Sequence, residues 1–133
     1  MAQPVARSFN RGIVNGYRSG FEAKVADQLI ALGIPVNFEP FVIHYDQPVQ
    51  KRRYTPDFAL PNGIVIETKG RFQSDDRKKH LLVQAQYPDM DLRFLFMNPN
   101  ARLSKASATT YAAWCDKHGF KWAKGPHIPK EWL

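Results

Sequence analysis

The chain is poor in several things, and each scarcity excludes a class of protein. It has one cysteine, Cys115, in 133 residues. No internal disulfide can form, and the composition fits a reducing compartment. No apolar run approaches the roughly 20 residues that a bilayer-spanning helix needs, which excludes a helical membrane protein. Gly/Ser linkers, low-complexity tracts and internal repeats are missing, so nothing marks a domain boundary. Acidic residues are missing from positions 1–21, where Arg7, Arg11 and Arg18 carry the charge. A transit peptide shares that composition, but the stretch lacks a secretory apolar core and runs directly into a helix start. Residues 1–17 therefore read as a basic arm that touches phosphates.

What is present points to one compact domain. Hydrophobic residues make up 44% and aromatics 13%, enough for a core in a chain of this size and too much for intrinsic disorder. Nineteen Lys and Arg against twelve Asp and Glu leave a net charge of +7. That balance favours a polyanionic partner, either nucleic acid or an anionic membrane surface.

Local signals give an outline of mixed α/β order, α-β-β-β-α-β-α. Ser19 and Glu22 have capping-box spacing ahead of an apolar stripe at Phe21, Val25, Leu29 and Leu32, with Gly33 as the stop. These predict a helix over residues 20–32. Residues 36–45 are rich in β-formers, with Pro40 marking an edge or bulge. Two short strands follow at 54–60 and 64–69, joined by Asn62-Gly63, the strongest short-range hairpin signal in the chain. A helix from about residue 75, capped by Ser74, ends before Pro88. A buried strand is expected at 92–97, a helix at 109–118 closed by Gly119, and a last strand at 120–123.

The chemistry is concentrated in the hairpin. Asp57 lies on its first strand, while Glu67 and Lys69 lie two residues apart on the second and so share a face. Pairing about Asn62-Gly63 places Asp57 level with the Glu67–Lys69 segment, across from residue 68. Two carboxylates and an ammonium beside the buried run Ile64-Val65-Ile66 need a reason. Hard carboxylate oxygens are what Mg²⁺ prefers, and phosphodiester cleavage uses metal-activated water together with positive charge at the transition state. Lys69 would orient that water or stabilise the transition state.

Bland readings stand beside these. Glu22 fits a capping-box residue, Asp57 after Pro56 fits turn chemistry, and Glu67 with Lys69 fits a solvated pair. Arg77, Lys78 and Lys79 fit a solvated helix face behind Asp75 and Asp76. His44, His80, His118 and His127 show no metal-ligand spacing; His80 fits either a structural role or a contact with DNA. Trp114, Trp122 and Trp132 read as core or interface anchors, and Cys115 as a buried helix residue without a catalytic partner.

The string P-D followed ten residues later by E-x-K resembles the PD-(D/E)xK nuclease superfamily. Seven blocks in order also resemble the phage endonuclease I family. They are Arg18-Ser19-Gly20-Phe21-Glu22, Tyr54-Thr55-Pro56-Asp57-Phe58, Leu60-Pro61-Asn62-Gly63-Ile64 and Glu67-Thr68-Lys69-Gly70. The others are Ser74-Asp75-Asp76-Arg77-Lys78-Lys79-His80-Leu81-Leu82, Lys117-His118-Gly119 and Ile128-Pro129-Lys130-Glu131-Trp132.

The resemblance implies a restriction-endonuclease-like mixed sheet flanked by helices, over a single nuclease domain at 18–133. It also implies a domain-swapped homodimer bridged by residues 46–53. It implies catalytic Glu22, Asp57, Glu67 and Lys69, with Mg²⁺ or Mn²⁺ held by Asp57, Glu67, Glu22 and the backbone carbonyl of Thr68. The implied activity is the resolution of four-way (Holliday) junctions and other branched DNA by paired nicks leaving 5′-phosphates, in the cytoplasm of a bacterial host. Arg18, Lys51, Arg52, Arg53, Arg71, Arg77, Lys78, Lys79 and His80 are the candidate DNA contacts; such contacts steepen salt dependence without conferring sequence preference. A nuclease that nicks ordinary duplex DNA and a non-catalytic basic nucleic-acid-binding protein remain as alternative readings.

Overall fold

A computed structural model describes residues 16–47 and 50–133 of the chain. The expected basic arm falls mostly outside these residues, as does Pro48 of the expected bridge.

Helix α1 (Gly20–Ala31) starts where the capping signal placed it. The Ser19 hydroxyl accepts from the Glu22 N–H at 3.2 Å, which satisfies one of the donors that a helix start leaves open. Val25, Ala26 and Leu29 form its buried face. Gly33 follows at φ 72°, the left-handed turn that closes helices.

Next comes an antiparallel ladder of β1 (Ile43–Gln47) and β2 (Gln50–Tyr54), with Ile43 across from Tyr54 and Gln47 across from Gln50. A second sheet holds β3 (Phe58–Ala59), β4 (Ile64–Lys69), β5 (Asp91–Phe96) and β6 (Lys121–Lys124), in that spatial order. β3 runs antiparallel to β4, whereas β4, β5 and β6 are parallel neighbours. Parallel neighbours require crossovers, and α2 (Ser74–Gln86) and α3 (Tyr111–His118) supply them. Thr110 caps α3, and Gly119 ends it in the left-handed conformation. A short 3₁₀ turn, Lys130–Trp132, closes the chain against the α1 side.

The larger sheet separates two apolar clusters. Val65, Phe94 and Phe96 turn toward Phe72, Val83, Tyr111 and Trp114. Ile64, Ile66 and Leu95 turn toward Val25, Ala26, Leu29 and Phe58. β4 is thus buried on both faces, which explains its unbroken apolar run. The alternation continues past Ile66: Glu67 and Lys69 follow Val65 to the α2 side, and Thr68 follows Ile66 to the α1 side.

The mixed α/β fold with flanking helices agrees with the expectation, and several elements differ in detail. The expected strand over 36–45 shrinks to its last residues and moves into β1. Glu39 adopts φ 47°, and Pro35 and Pro40 have no N–H to give a ladder. β2 was not expected as a strand. Its sequence, Gln-Lys-Arg-Arg-Tyr, carries four exposed side chains and so lacks the alternation of a half-buried strand. The strand expected at 54–60 breaks after Tyr54, and only Phe58 and Ala59 pair with β4. Gln73, not Ser74, occupies the cap position of α2.

Candidate active site

The hairpin that carries the motif is one residue longer at its turn than the Asn-Gly signal implied. The Gly63 N–H donates to the Leu60 carbonyl at 3.0 Å, and the Leu60 N–H donates to the Ile64 carbonyl at 2.8 Å. The Asn62 side chain accepts from the Ile64 N–H at 3.1 Å. Gly63 takes φ 93°, as the last residue of a three-residue hairpin loop commonly does. Phe58 therefore pairs with Ile66, the ladder stops there, and Asp57 just before it reaches Thr68 through its side chain, level with the Glu67–Lys69 segment as expected.

The C-terminal end of β4 brings the motif together from both sides of the sheet. On the α1 side, Asp57 Oδ2 accepts from the Thr68 N–H at 2.9 Å and the Thr68 hydroxyl at 2.8 Å. On the α2 side, Glu67 Oε1 accepts from the Tyr54 hydroxyl at 2.7 Å, and Glu67 Oε2 lies 3.4 Å from Lys69 Nζ. Lys69 Nζ also lies 3.3 Å from Asp76 Oδ1 on α2. The shared face expected for Glu67 and Lys69 is observed.

Glu22 approaches from α1. Its Oε1 accepts from the Arg18 N–H at 2.9 Å, so it satisfies the residue before the cap rather than Ser19 itself. Only half of the expected capping box is present. Arg18 turns its guanidinium to Glu39, and the Glu39 N–H donates to the Asp57 carbonyl at 2.8 Å. Glu22, Glu39, Asp57 and Glu67 are all buried.

Burial of so many carboxylates has a charge consequence. Burial first, and the charge of Asp57 second, push Glu22 up to about 7. The same two causes push Glu67 up to about 8, even with Lys69 alongside. Asp57 is also raised by burial, against the opposing hydrogen bonds from Thr68. Burial works against the charge on Lys69, but Glu67 and Asp76 outweigh it and raise its proton affinity. The site thus favours incoming positive charge. Glu22 and Asp57 feel one another within a single chain.

Among the described residues, no three His, Cys, Asp or Glu side chains stand in a ready-made metal cluster. Mg²⁺ does not require one, because it commonly uses one or two carboxylates and completes its shell with water and substrate phosphate. Asp57 and Glu67 suit that demand in donor chemistry, and their raised proton affinity marks a pocket that favours added positive charge.

The basic candidates are scattered. Lys51, Arg52 and Arg53 are exposed along β2, Arg71 is exposed in the segment before α2, and Lys78 is exposed within α2. Arg18 is half-exposed despite its pairing with Glu39. The Arg77 side chain bonds the Phe72 carbonyl. Lys79 is partly buried over the Tyr54 ring. His80 must be corrected: it is 0% exposed, packed by Tyr54, Phe72 and Phe94. Burial lowers its proton affinity well below the usual value. The basic residues before it on α2 suggested a surface, whereas the helical turn points this ring inward.

Sequence reasoning passed over Glu39, the Thr68 hydroxyl, the Tyr54 hydroxyl and Asp76. Tyr54 and Asp76 lie within the segments that resemble the family, but nothing local shows that a residue from β2 and another from α2 converge on β4.

A mixed sheet in which β4 ends in Glu67 and Lys69, with Asp57 brought beside that end from the residue before β3, has the convergence expected from the P-D and E-x-K strings. The sequence pattern of the phage endonuclease I family matches residues 1–133. Endonuclease I of Escherichia phage T7 is 48% identical over 120 residues, covering 90% of this chain and 80% of that protein. Endodeoxyribonuclease 1 of Enterobacteria phage T3 is 50% identical over 107 residues, covering 80% of this chain and 70% of that protein. The chain belongs to the phage endonuclease I family.

Proposed function

We propose that this endodeoxyribonuclease resolves four-way and other branched DNA by Mg²⁺-dependent paired nicks that leave 5′-phosphates. The observation that carries this reading is the junction of Asp57, Glu67 and Lys69 at the end of β4. Buried carboxylates with raised proton affinity sit there beside an ammonium held in place by two acids. Family membership supports the endonuclease part, and the net charge of +7 suits a DNA substrate.

In this reading Asp57 and Glu67 hold the divalent ion, assisted by Glu22 and the Thr68 backbone carbonyl, and Mn²⁺ substitutes for Mg²⁺. When bound, the ion supplies Lewis-acid charge and a water of lowered pKa. The chain's own residues do the rest. Thr68 fixes Asp57 through two hydrogen bonds, and Tyr54 fixes one oxygen of Glu67. Lys69 places an ammonium where the phosphate gathers negative charge and orients the attacking water. Exposed Lys51, Arg52, Arg53, Arg71 and Lys78 hold the DNA backbone.

The active species in this proposal is a homodimer in the cytoplasm of the phage's host, because two coordinated nicks need two sites. In the dimer of this proposal the β1–β2 ladder opens, residues 46–53 bridge the subunits, and Glu22 of one takes beside Asp57, Glu67 and Lys69 of the other the place it holds within the single chain. Co-refolding Glu22→Gln with Glu67→Gln chains tests the exchange. Recovery of cleavage supports it, and no recovery assigns each site to one chain.

The main test is cleavage of an end-labelled four-way junction and a matched linear duplex, each with Mg²⁺ or EDTA. The proposal expects metal-dependent cuts confined to the junction. Equal cutting of the duplex would leave a general nicking enzyme, and binding without cutting would leave a DNA-binding protein.

A further inference from the structure

Five side chains close a ring on the α2 side of the site. Glu67 Oε1 accepts from the Tyr54 hydroxyl at 2.7 Å, and Glu67 Oε2 lies 3.4 Å from Lys69 Nζ. Lys69 Nζ lies 3.3 Å from Asp76 Oδ1, and the same oxygen lies 3.9 Å from Lys79 Nζ. Lys79 Nζ then stands 5.2 Å over the Tyr54 ring, which returns the circuit to Glu67.

Asp76 is the member that the nuclease motif does not contain. Its oxygens divide their work. Oδ2 accepts from the Gln73 N–H at 3.2 Å and caps α2, while Oδ1 faces both ammonium groups. A cap needs one oxygen, so capping does not account for the second. Lys69 is divided almost evenly between Glu67 and Asp76, at 3.4 and 3.3 Å. Its side chain is only 14% exposed, so water contributes little to holding it. A flexible four-carbon stem beside one carboxylate would settle on that carboxylate. It would then occupy the oxygen that a metal ion needs. A second acid on the opposite side prevents this.

We propose that Asp76 is a positioning residue that holds the Lys69 ammonium between two carboxylates, and through Lys79 braces Tyr54 against Glu67. The inference rests on the proposed role of Lys69 at the scissile phosphate.

Asp76→Asn tests it in the full chain with Mg²⁺ and a four-way junction. Asparagine keeps an oxygen for the Gln73 N–H but loses the charge. The expected result is a single-turnover cleavage rate reduced about 10- to 100-fold, the range for groups that orient a catalytic ligand. Junction affinity in EDTA and the melting temperature stay at wild-type values. In the Lys69→Met background the same change has no further effect, which a purely structural role would not produce. A wild-type rate for Asp76→Asn, or additive losses with Lys69→Met, overturns the inference. Should Asp76→Asn fail to fold, Lys79→Met leaves the cap intact. It is expected to slow cleavage about two- to fivefold at saturating enzyme, and an unchanged rate again overturns the inference. Wild-type protein assayed alongside separates the two readings. Failure of the wild type to cut the junction defeats the proposed function, whereas a cutting wild type matched by the variants defeats only the role of Asp76.

Discussion

On the α1 flank of β4, Glu22, Glu39 and Asp57 gather with Arg18 as the described cation among them. On the α2 flank, Glu67 and Asp76 alternate with Lys69 and Lys79. Geometry is fixed differently as well. Asp57 and Glu22 are pinned largely by backbone N–H groups, whereas Glu67 and Lys69 are pinned by other side chains. Alternating charge does not by itself relieve burial, because Glu67 beside Lys69 still rises to about 8. The α1 flank gathers three buried acids, and the α2 flank supplies a placed ammonium.

The largest effect expected is loss of one acid from either flank. Asp57→Asn and Glu67→Gln should each reduce junction cleavage in Mg²⁺ to background while gel-shift affinity for the junction is kept. Wild-type cleavage by either variant would remove that flank from the chemistry.

A second experiment sharpens the comparison through pH. Burial raises Glu22 to about 7 and Glu67 to about 8, so the metal-free folded chain holds more protons than the unfolded chain between the usual carboxylate range and those values. Stability from these groups is therefore complete at about pH 4 and lost as pH rises through 7 and 8. Urea titrations without metal should show a fall on the order of 2–4 kcal/mol between about pH 5 and pH 8.5. Mg²⁺ should restore part of it by binding the ionised form. Flat stability across that range would contradict the raised proton affinity of the buried Glu22 and Glu67.

Tyr54→Phe tests the α2 flank more gently. It leaves a buried carboxylate oxygen without its donor and should cost about 1–3 kcal/mol in urea denaturation, with a slower cleavage rate. The smallest expected effect is on the opposite side. Ser19→Ala removes a helix cap and should cost about 1 kcal/mol, leaving the cleavage rate near wild type because the Arg18 N–H still holds Glu22.

What the sequence made legible follows from distance along the chain. Asp57, Glu67 and Lys69 occupy two strands joined by a tight turn, so their meeting could be read from strand alternation and one Asn-Gly pair. α1 was equally readable from Ser19, Glu22 and Gly33. Asp76, Tyr54 and Glu39 were not, because each arrives from an element whose docking depends on tertiary packing. β2 was invisible for a related reason: cross-strand pairing with β1, and not an apolar pattern, makes Gln50–Tyr54 extended. The run 36–45 misled in the other direction, since its β-forming side chains outvoted Pro35, Pro40 and the left-handed backbone at Glu39.

The three-residue turn of Pro61, Asn62 and Gly63 carries a last consequence. Turns on protein surfaces are usually where insertions do least harm. Here the turn acts as a gauge block, since its length sets the register of β3 on β4 and so where Asp57, the residue before β3, meets the end of β4. One residue more or less would slide the strand by about 3.3 Å and turn each side chain to the opposite face. Asp57 would then part from the Thr68 groups that hold it, without either residue being replaced. The spacing of the candidate site is stored as a count of loop residues.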